Sequence, residues 1–541
     1  MTARTGDHPG TLHAWFAASA GRHPGRVALE ADGQALTYRE LDEYSARVAA
    51  GILRACPGPP RRVGLLAGRR PAAYAGYLAV QRLGATVVPL NTAWPEARNA
   101  SVARLAGLDL VLTDGPEGSH GLPVPLLDLA DAVGGSADGT ASPGEMGGPG
   151  GPGEPGEPAY ILFTSGSTGA PKGVPILQGN VAPYLAHVID RYEVGPGSRL
   201  SQTFDLTFDV SVFDMFAAWG GGATLVVPSR DEILAPVRFV NERDLTHWCS
   251  VPSVISFARR LRALRHSAMP GLRHSLFAGE PLTLQQAQAW QAAAPSSRLE
   301  NFYGPTELTI TCSEFALDTD MGNWSATANG TVPIGHVYPH LEHRVLDAAG
   351  RPTEEGELCV RGPQRFPGYL DPADDVGRFW DLDGDCPAVP ACAPRGPAVR
   401  PSDGIPARMW YRTGDRVRPV GRDGLLHLGR LDHQVKVDGY RVELGEIESA
   451  LRDQPDVHDA VVLALPTTHG GTELHAVCTG DDPDPDPLLD ALRERLPAYM
   501  VPSFLHVRPE LPLNGNGKTD RAALAALLQD EPAETPAKEF R

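Results

Sequence analysis

AYILFTSGSTGAPKG, residues 159–173, joins an apolar run to an alternation of hydroxyls and glycines. Ala159 to Phe163 is short, continuous and rich in large apolar side chains, so it reads as a buried strand. The run breaks into Thr164-Ser165-Gly166-Ser167-Thr168-Gly169, and Pro171, Lys172 and Gly173 follow. Glycine accepts positive φ, which lets successive N–H groups turn inward. Such a nest of donors binds anions, and the hydroxyls add further donors. The stretch therefore reads as a phosphate-holding loop. A Walker A loop would need its lysine directly after a glycine, whereas Lys172 follows Pro171. A nucleophile elbow would need Gly-x-Ser-x-Gly, which neither Ser165 nor Ser167 satisfies. A flexible Ser/Gly linker would not follow a strand and end in Pro-Lys-Gly.

Toward the N-terminus, helices and strands alternate. Leu12, Trp15 and Phe16 suit a first amphipathic helix. Thr37 and Glu40 stand at capping-box spacing, which predicts a helix running to about Ala55. A strand (Val63 to Leu66), a helix (Pro71 to Leu83), a strand (Thr86 to Leu90), a helix (Trp94 to Ala106) and a strand (Asp109 to Leu112) follow. This order implies a mainly parallel sheet with helices on both faces. Residues 139–158, rich in Gly, Pro and Glu, read as a surface connection, and the Pro/Ala/Gly-rich 381–407 as an inserted loop without a core.

A chain of 541 residues exceeds one core and implies several domains. Its composition, 42% apolar and 21% charged, is globular. It contains no apolar run of the ~18 residues a spanning helix needs, and the first residues lack a signal-peptide core, so no membrane partner is expected. Seven cysteines without a Cys-x-x-Cys pair point to a reducing, cytoplasmic setting and away from a zinc site. Net charge, 48 − 66 = −18, argues against nucleic acid as a partner.

Downstream of the phosphate loop come Phe208-Asp209-Val210-Ser211, then Leu276-Phe277-Ala278-Gly279-Glu280, then Asn301-Phe302-Tyr303-Gly304-Pro305-Thr306-Glu307. Further on stand Gly356 to Gly362 with Gly368-Tyr369-Leu370, Tyr411-Arg412-Thr413-Gly414-Asp415, and Gly429-Arg430-Leu431-Asp432-His433-Gln434-Val435-Lys436. Leu496 to Pro502 and Asn516-Gly517-Lys518 close the series. Taken singly, these are turns, helix caps and a surface lysine. Taken in this order, from about Leu12 to Arg521, the chain resembles the adenylate-forming enzymes: acyl-CoA synthetases, luciferases and the adenylation domains of nonribosomal peptide synthetases.

The resemblance implies a large α/β N-terminal domain, residues 1–431, of mainly parallel sheets plus a small β subdomain. A small mobile α+β lid, residues 432–541, would carry the catalytic lysine, Lys518. It implies ATP and Mg²⁺ as cofactors. Thr164, Ser165, Gly166, Ser167, Thr168 and Gly169 would hold the β- and γ-phosphates, and Lys172 would also bind ATP. Asn301 and Tyr303 would hold adenine, Asp415 the ribose hydroxyls, and Arg430 ribose or phosphate. Thr306 would meet the α-phosphate and Glu307 would bind magnesium, a hard ion that takes few protein carboxylates. Asp432 would be the hinge. His427 stands where many relatives carry an aromatic near the nucleotide, a departure that puts this one contact in question.

The nearest likeness is to a stand-alone amino-acid adenylation enzyme. The chain begins at a methionine just before the first helix and ends soon after Lys518, so the expected acceptor is a separate carrier protein bearing phosphopantetheine. Asp209 would accept the α-ammonium of the substrate, a charge-assisted hydrogen bond that a cation in a dry pocket needs. By resemblance the pocket is lined by Asp209, Val210, Phe213, Cys249, Leu276, Ala278, Phe302, Ile310 and Thr311. Asp209 is the single formal charge in that set, so a charged substrate side chain would lie unpaired. Two phenylalanines shorten the pocket. The expected substrate is a small neutral amino acid: alanine first, then glycine, serine, 2-aminobutyrate, proline or a β-amino acid. The rival readings are an acyl- or aryl-CoA synthetase, which has no use for a buried anion at 209, and a non-catalytic binding relative, against which Lys518, Glu307 and Asp415 all stand.

Overall fold

The computed structural model describes residues 8–115, 121–134, 153–166, 171–233, 235–382, 405–432, 434–437, 439–467, 472–481, 483–512 and 519–530. The expected N-terminal helix spans Leu12–Arg22. The capping box forms as read: the Thr37 side chain accepts from the Glu40 N–H, the Thr37 N–H donates to the Glu40 carboxylate at 2.8 Å, and the helix runs Tyr38–Ala55. Satisfying two of a helix's orphan donors in this way pins its first turn.

Two large sheets dominate. The first orders its strands Leu126–Asp128, Leu110–Thr113, Arg62–Leu66, Thr86–Leu90, Pro158–Thr164 and Lys172–Leu177. Its pairs are parallel except the last, where Thr164 faces Lys172 across a hairpin. The second runs His336–Val337, Ser313–Ala316, Arg298–Tyr303, His274–Phe277, His247–Ser250, Arg199–Ser201, Thr224–Val226, Val27–Ala31 and Gln34–Thr37, parallel inside and antiparallel at both edges. Mainly parallel sheets, as expected, need cover on both faces.

That cover is legible residue by residue, because successive strand side chains point to opposite faces. Val87 and Tyr160 join the central core while their neighbours Val88 and Ile161 join an outer cluster with Val102 and Trp94. Cys249 and Leu276 face the central core, and Trp248 and Phe277 face an outer cluster with Trp290 and Ile255. Between the two sheets lie the helices Leu12–Arg22, Tyr38–Ala55, Pro71–Arg82, Gln178–Arg191 and Val210–Gly221. The last is buried on all sides, which is why its sequence is apolar all round. Its Trp219 is fully buried and donates Nε1–H to the Ala28 carbonyl at 3.0 Å.

An antiparallel five-stranded sheet follows, built on Gly356–Arg361 and Trp410–Pro419, with Leu425–Arg430 along one edge. The C-terminal part opens with a hairpin, Gln434–Val437 and Tyr440–Glu443. It continues into a three-stranded sheet (Val457–Pro466, Thr472–Gly480, Phe504–Val507) packed on the helices Leu444–Arg452 and Pro485–Arg495, with its own core of Ile447, Val462, Ala476, Leu489 and Met500. The connection at 139–158 is described only from 153, and the insertion at 381–407 only at its two ends. Among the described residues no helix is long and apolar enough to cross a membrane.

Candidate active site

The strand Pro158–Thr164, the head of the helix Val210–Gly221, the strand Arg298–Tyr303 and the C-terminal hairpin meet around a cavity of about 600 Å³. Asp209 occupies the N-cap position of that helix, yet its side chain makes no capping bond. It faces the cavity at 8% exposure. Burial pushes its carboxyl up to about 6, against the opposing pull of the Thr306 hydroxyl and the Lys436 ammonium. A buried carboxylate held this reluctantly is ready for a cationic partner.

Val210, Ala278, Phe302, Ile310 and Thr311 line the wall beside Asp209, as expected. Phe213, Cys249 and Leu276 do not line it. Phe213 lies behind Phe302, edge-on at 5.8 Å, and Cys249 and Leu276 pair across neighbouring strands within the core. Phe302 rather than Phe213 therefore lines this wall, and Phe204 and Phe208 line the cavity as well. Asp209 is also not the lone charge, because the hairpin brings Lys436 to the cavity, where burial lowers its pKa.

Thr309 and Ile310 both adopt positive φ, 59° and 72°. For a β-branched residue that is strain, and strain persists only where neighbours over-determine it. Here the neighbour is Gln364, fully buried, whose amide donates to the carbonyls of Leu308 (2.9 Å), Thr309 (3.3 Å) and Thr311 (2.8 Å). Its backbone carbonyl accepts from the Thr309 hydroxyl at 2.5 Å. Thr311 Oγ1 sits 2.7 Å from the Tyr338 hydroxyl, inside the core, so its polar atom is spoken for.

On the opposite side, Asp415 accepts from Tyr303 Oη (2.7 Å) and Arg430 Nη1 (3.1 Å) and lies 3.0 Å from His427 Nε2. Burial would raise its pKa, but these three partners outweigh burial and hold it well below the usual carboxylate range. His427 thus stands beside the expected ribose carboxylate. Asn301, which lines the cavity, donates from its amide nitrogen to the carbonyls of Val332 (3.3 Å) and Pro333 (2.9 Å). Asp432 grips Arg430 at Nε (2.6 Å) and Nη2 (2.8 Å). Lys172 does not reach the cavity. It is buried against Asp374 at 3.1 Å and over the Tyr369 ring.

The phosphate loop meets the C-terminal part directly. Ser165 Oγ donates to the Arg441 carbonyl (2.8 Å) and accepts from the Glu443 N–H (2.9 Å). The Gly166 N–H donates to Glu446 Oε2 at 3.2 Å. Arg441 Nη1 lies 3.0 Å from both oxygens of Glu307, which is fully buried and also accepts from Tyr369 Oη at 2.6 Å. Burial alone would push the Glu307 carboxyl up, but Arg441 and Tyr369 hold it below its ordinary value. Glu307 is a hard oxygen donor whose two oxygens are both engaged here by Arg441, with Tyr369 sharing one, and it would hold a metal ion only with Arg441 withdrawn. Among the described residues no three His, Cys, Asp or Glu side chains gather into an all-protein metal cage. That donor set fits magnesium completed by phosphates and water rather than by protein. Ser167, Thr168, Gly169 and Lys518 lie outside the described residues. Sequence reasoning missed roles for Lys436, Arg441, Glu446 and Gln364. Lys436 closes the Gly429–Lys436 motif but has no role assigned to it there, and Arg441 and Glu446 sit in an ordinary-looking strand and helix start.

A family model described as AMP-binding enzyme matches residues 16–370, and one described as AMP-binding enzyme C-terminal domain matches residues 446–518. This chain belongs to the AMP-binding enzyme family. The adenylate-forming fold expected from the motifs, a large α/β domain with a small C-terminal one, is the fold of this AMP-binding enzyme. It is 35% identical over 534 residues to phosphinothricin tripeptide synthetase PhsC of Streptomyces viridochromogenes, covering 96% of this chain and 45% of that one. It is 34% identical over 522 residues to the AMB antimetabolite synthetase AmbB of Pseudomonas aeruginosa, covering 95% and 39%. The chain thus spans less than half the length of these curated relatives. Among solved structures, IdnL7 is 38% identical with a TM-score of 0.67, over 96% of this chain and 99% of that one. The Vibrio cholerae adenylation domain AlmE, solved with glycyl-adenosine-5'-phosphate, is 25% identical with a TM-score of 0.76, over 98% and 100%.

Proposed function

We propose that this AMP-binding enzyme activates a small neutral amino acid with ATP to aminoacyl-AMP and pyrophosphate, then passes the aminoacyl group to the phosphopantetheine thiol of a carrier protein. The observation that carries this reading is Asp209, a buried carboxylate that lines the cavity together with Val210, Ala278, Phe302, Ile310 and Thr311. An ammonium-free acid gains nothing from it, and an α-ammonium gains a charge-assisted hydrogen bond. The relatives support the same class: PhsC is a peptide synthetase, and AlmE was solved with an aminoacyl adenylate.

In this reading residues 1–431 form the catalytic body and 432–541 the lid. Asn301 accepts from the adenine amine, Tyr303 lies along the base, and Asp415, with Arg430, takes the ribose hydroxyls. The Thr164–Gly169 loop binds the β- and γ-phosphates and Thr306 the α-phosphate. A magnesium ion held by Glu307 would offset charge on the phosphate oxygens. Lys518 bridges the substrate carboxylate and the α-phosphate. A carboxylate oxygen attacks the α-phosphorus, the bond to the bridging oxygen breaks, and its electron pair leaves with pyrophosphate. Such a step is accelerated by positioning and charge stabilisation. The lid then turns about Asp432, and the carrier thiolate attacks the acyl carbon and expels AMP. Alanine is the first candidate, ahead of glycine, serine, 2-aminobutyrate, proline and β-amino acids. A hydrophobic wall separates substrates differing by one methylene by only about 1–3 kcal/mol, so several will react.

The test is ATP–pyrophosphate exchange against the proteinogenic amino acids, β-alanine, 2-aminobutyrate, and fatty and aryl acids. Small neutral amino acids should give the strongest exchange. Exchange with ammonium-free acids alone would overturn the assignment of Asp209 in favour of an acyl- or aryl-CoA synthetase.

A further inference from the structure

Among Val210, Ala278, Phe302, Ile310 and Thr311, which line the cavity with Asp209, only Thr311 carries a side-chain hydrogen-bonding group. All of its polar atoms are nonetheless engaged inside the protein. Its N–H donates to the Thr309 carbonyl at 2.9 Å, and its carbonyl accepts from the Gln364 amide at 2.8 Å. Its Oγ1 lies 2.7 Å from Tyr338 Oη and donates to Tyr184 Oη at 3.3 Å. A hydroxyl has one hydrogen to give. With that hydrogen on Tyr184, Tyr338 donates the shorter bond. Both tyrosines are fully buried and neither lines the cavity. Tyr184 comes from the helix Gln178–Arg191 and meets Phe213 edge-on at 6.5 Å. Tyr338 follows the edge strand His336–Val337, is tied by its N–H to the Cys312 carbonyl at 2.9 Å, and packs on the His187 ring at 4.3 Å.

A threonine side chain ends in a hydroxyl and a methyl. With the hydroxyl held in the core, the methyl is what remains for a substrate to meet. We propose that Tyr338 and Tyr184 determine specificity through Thr311: they keep its hydroxyl turned into the core, so that the wall offers a substrate side chain no hydrogen bond and favours alkyl groups over hydroxyl-bearing ones of equal size. This rests on the adenylation reading and narrows its substrate class. Serine falls behind 2-aminobutyrate, in which a methyl replaces the hydroxyl. A hydroxyl buried without a partner loses its bonds to water and regains none. An apolar wall rejects an isostere carrying an added hydroxyl by about 10²-fold at most. Tyr338 and Tyr184 are positioning residues, acting on the substrate only through the rotamer of Thr311.

The experiment is ATP–pyrophosphate exchange with serine and with 2-aminobutyrate. The proteins compared are the wild type, Tyr338→Phe, the double variant Tyr184→Phe/Tyr338→Phe, Thr311→Val, and Tyr338→Phe combined with Thr311→Val. Wild type should favour 2-aminobutyrate by about 10- to 100-fold in kcat/KM. Tyr338→Phe releases the Thr311 hydroxyl, and one new neutral hydrogen bond is worth about tenfold at most. The serine-to-2-aminobutyrate ratio should therefore rise by up to about tenfold, mainly through the serine KM, with the ATP KM unchanged. It should rise further in the double tyrosine variant. A merely structural role would lower both substrates alike. Thr311→Val should keep the wild-type ratio and, combined with Tyr338→Phe, cancel the gain. The proposal would be overturned by an unchanged ratio in both tyrosine variants, or by a selective loss of serine in Thr311→Val. A wild type that favours serine, or that takes neither substrate while exchanging with another amino acid, would overturn it too. Each of these results leaves amino-acid adenylation standing, whereas exchange with ammonium-free acids alone would overturn that reading as well.

Discussion

Replacing Asp209 by asparagine should raise stability and destroy function, two effects of opposite sign from one atom pair. The carboxyl ordinarily titrates near 3.8 and in the fold at about 6. At 1.36 kcal/mol per decade, holding it ionised above that pH costs about 3 kcal/mol. The sign follows from proton counting. Between roughly pH 4 and 6 the folded state binds more protons at this site than the unfolded state does, so stability falls as pH rises through that window. Asparagine removes the titration. Asp209→Asn should thus match wild type near pH 4 and exceed it by up to about 3 kcal/mol above pH 6, read from denaturant unfolding at a series of pH values. In the catalytic assay the same change leaves the substrate ammonium without its counter-charge. Truncating one partner of a buried charge pair costs about 2–5 kcal/mol, which is about 30- to 5,000-fold in kcat/KM for the amino acid. For wild type, the amino-acid KM should climb as pH falls below about 6, where the carboxyl protonates. A destabilised Asp209→Asn, or one with unimpaired amino-acid-dependent pyrophosphate exchange, would refute the reasoning.

Gln364→Leu should strip the donors that hold the strained turn at Thr309 and Ile310. Unsatisfied buried carbonyls cost about 1–3 kcal/mol each, so the melting midpoint should fall. The amino-acid KM should rise with broadened selectivity while the ATP KM stays put, and equal movement of both constants would remove the specificity role. Lys518→Ala should lose about 10²–10³ in acyl-adenylate formation with an unchanged unfolding transition. Near-normal adenylate release by that variant would show that another group does the bridging.

Local physics made much of this molecule readable in advance. The Thr37–Glu40 box starts its helix where it should, because capping is settled within four residues. The apolar run before Thr164 is a buried strand because a short-range pattern specifies it, and Asp209 is a buried carboxylate at a helix head, as the family resemblance implied. The placement of Lys172 was not readable. The family resemblance makes Lys172 an ATP contact, and its ion pair with Asp374, about two hundred residues later in the chain, has no signal near it in the sequence. Phe213 shares a helix with the wall residue Val210, and Leu276 stands two residues before Ala278, but ring packing against Phe302 and the pairing of Leu276 with Cys249 set all three in the core behind the cavity.

The sequence by itself thus determined the elements, their order and the chemistry carried at each loop, since those depend on neighbours within a turn or two. The tertiary structure alone decided which charges meet. Glu307 and Arg441 are 134 positions apart, and Gly166 and Glu446 are 280 apart. Their pairing arises from how the C-terminal hairpin seats against the large domain. That seating is governed by shape at Gly439, ring contacts at Tyr440 and desolvated charge at Arg441, quantities that exist only once distant surfaces are brought together.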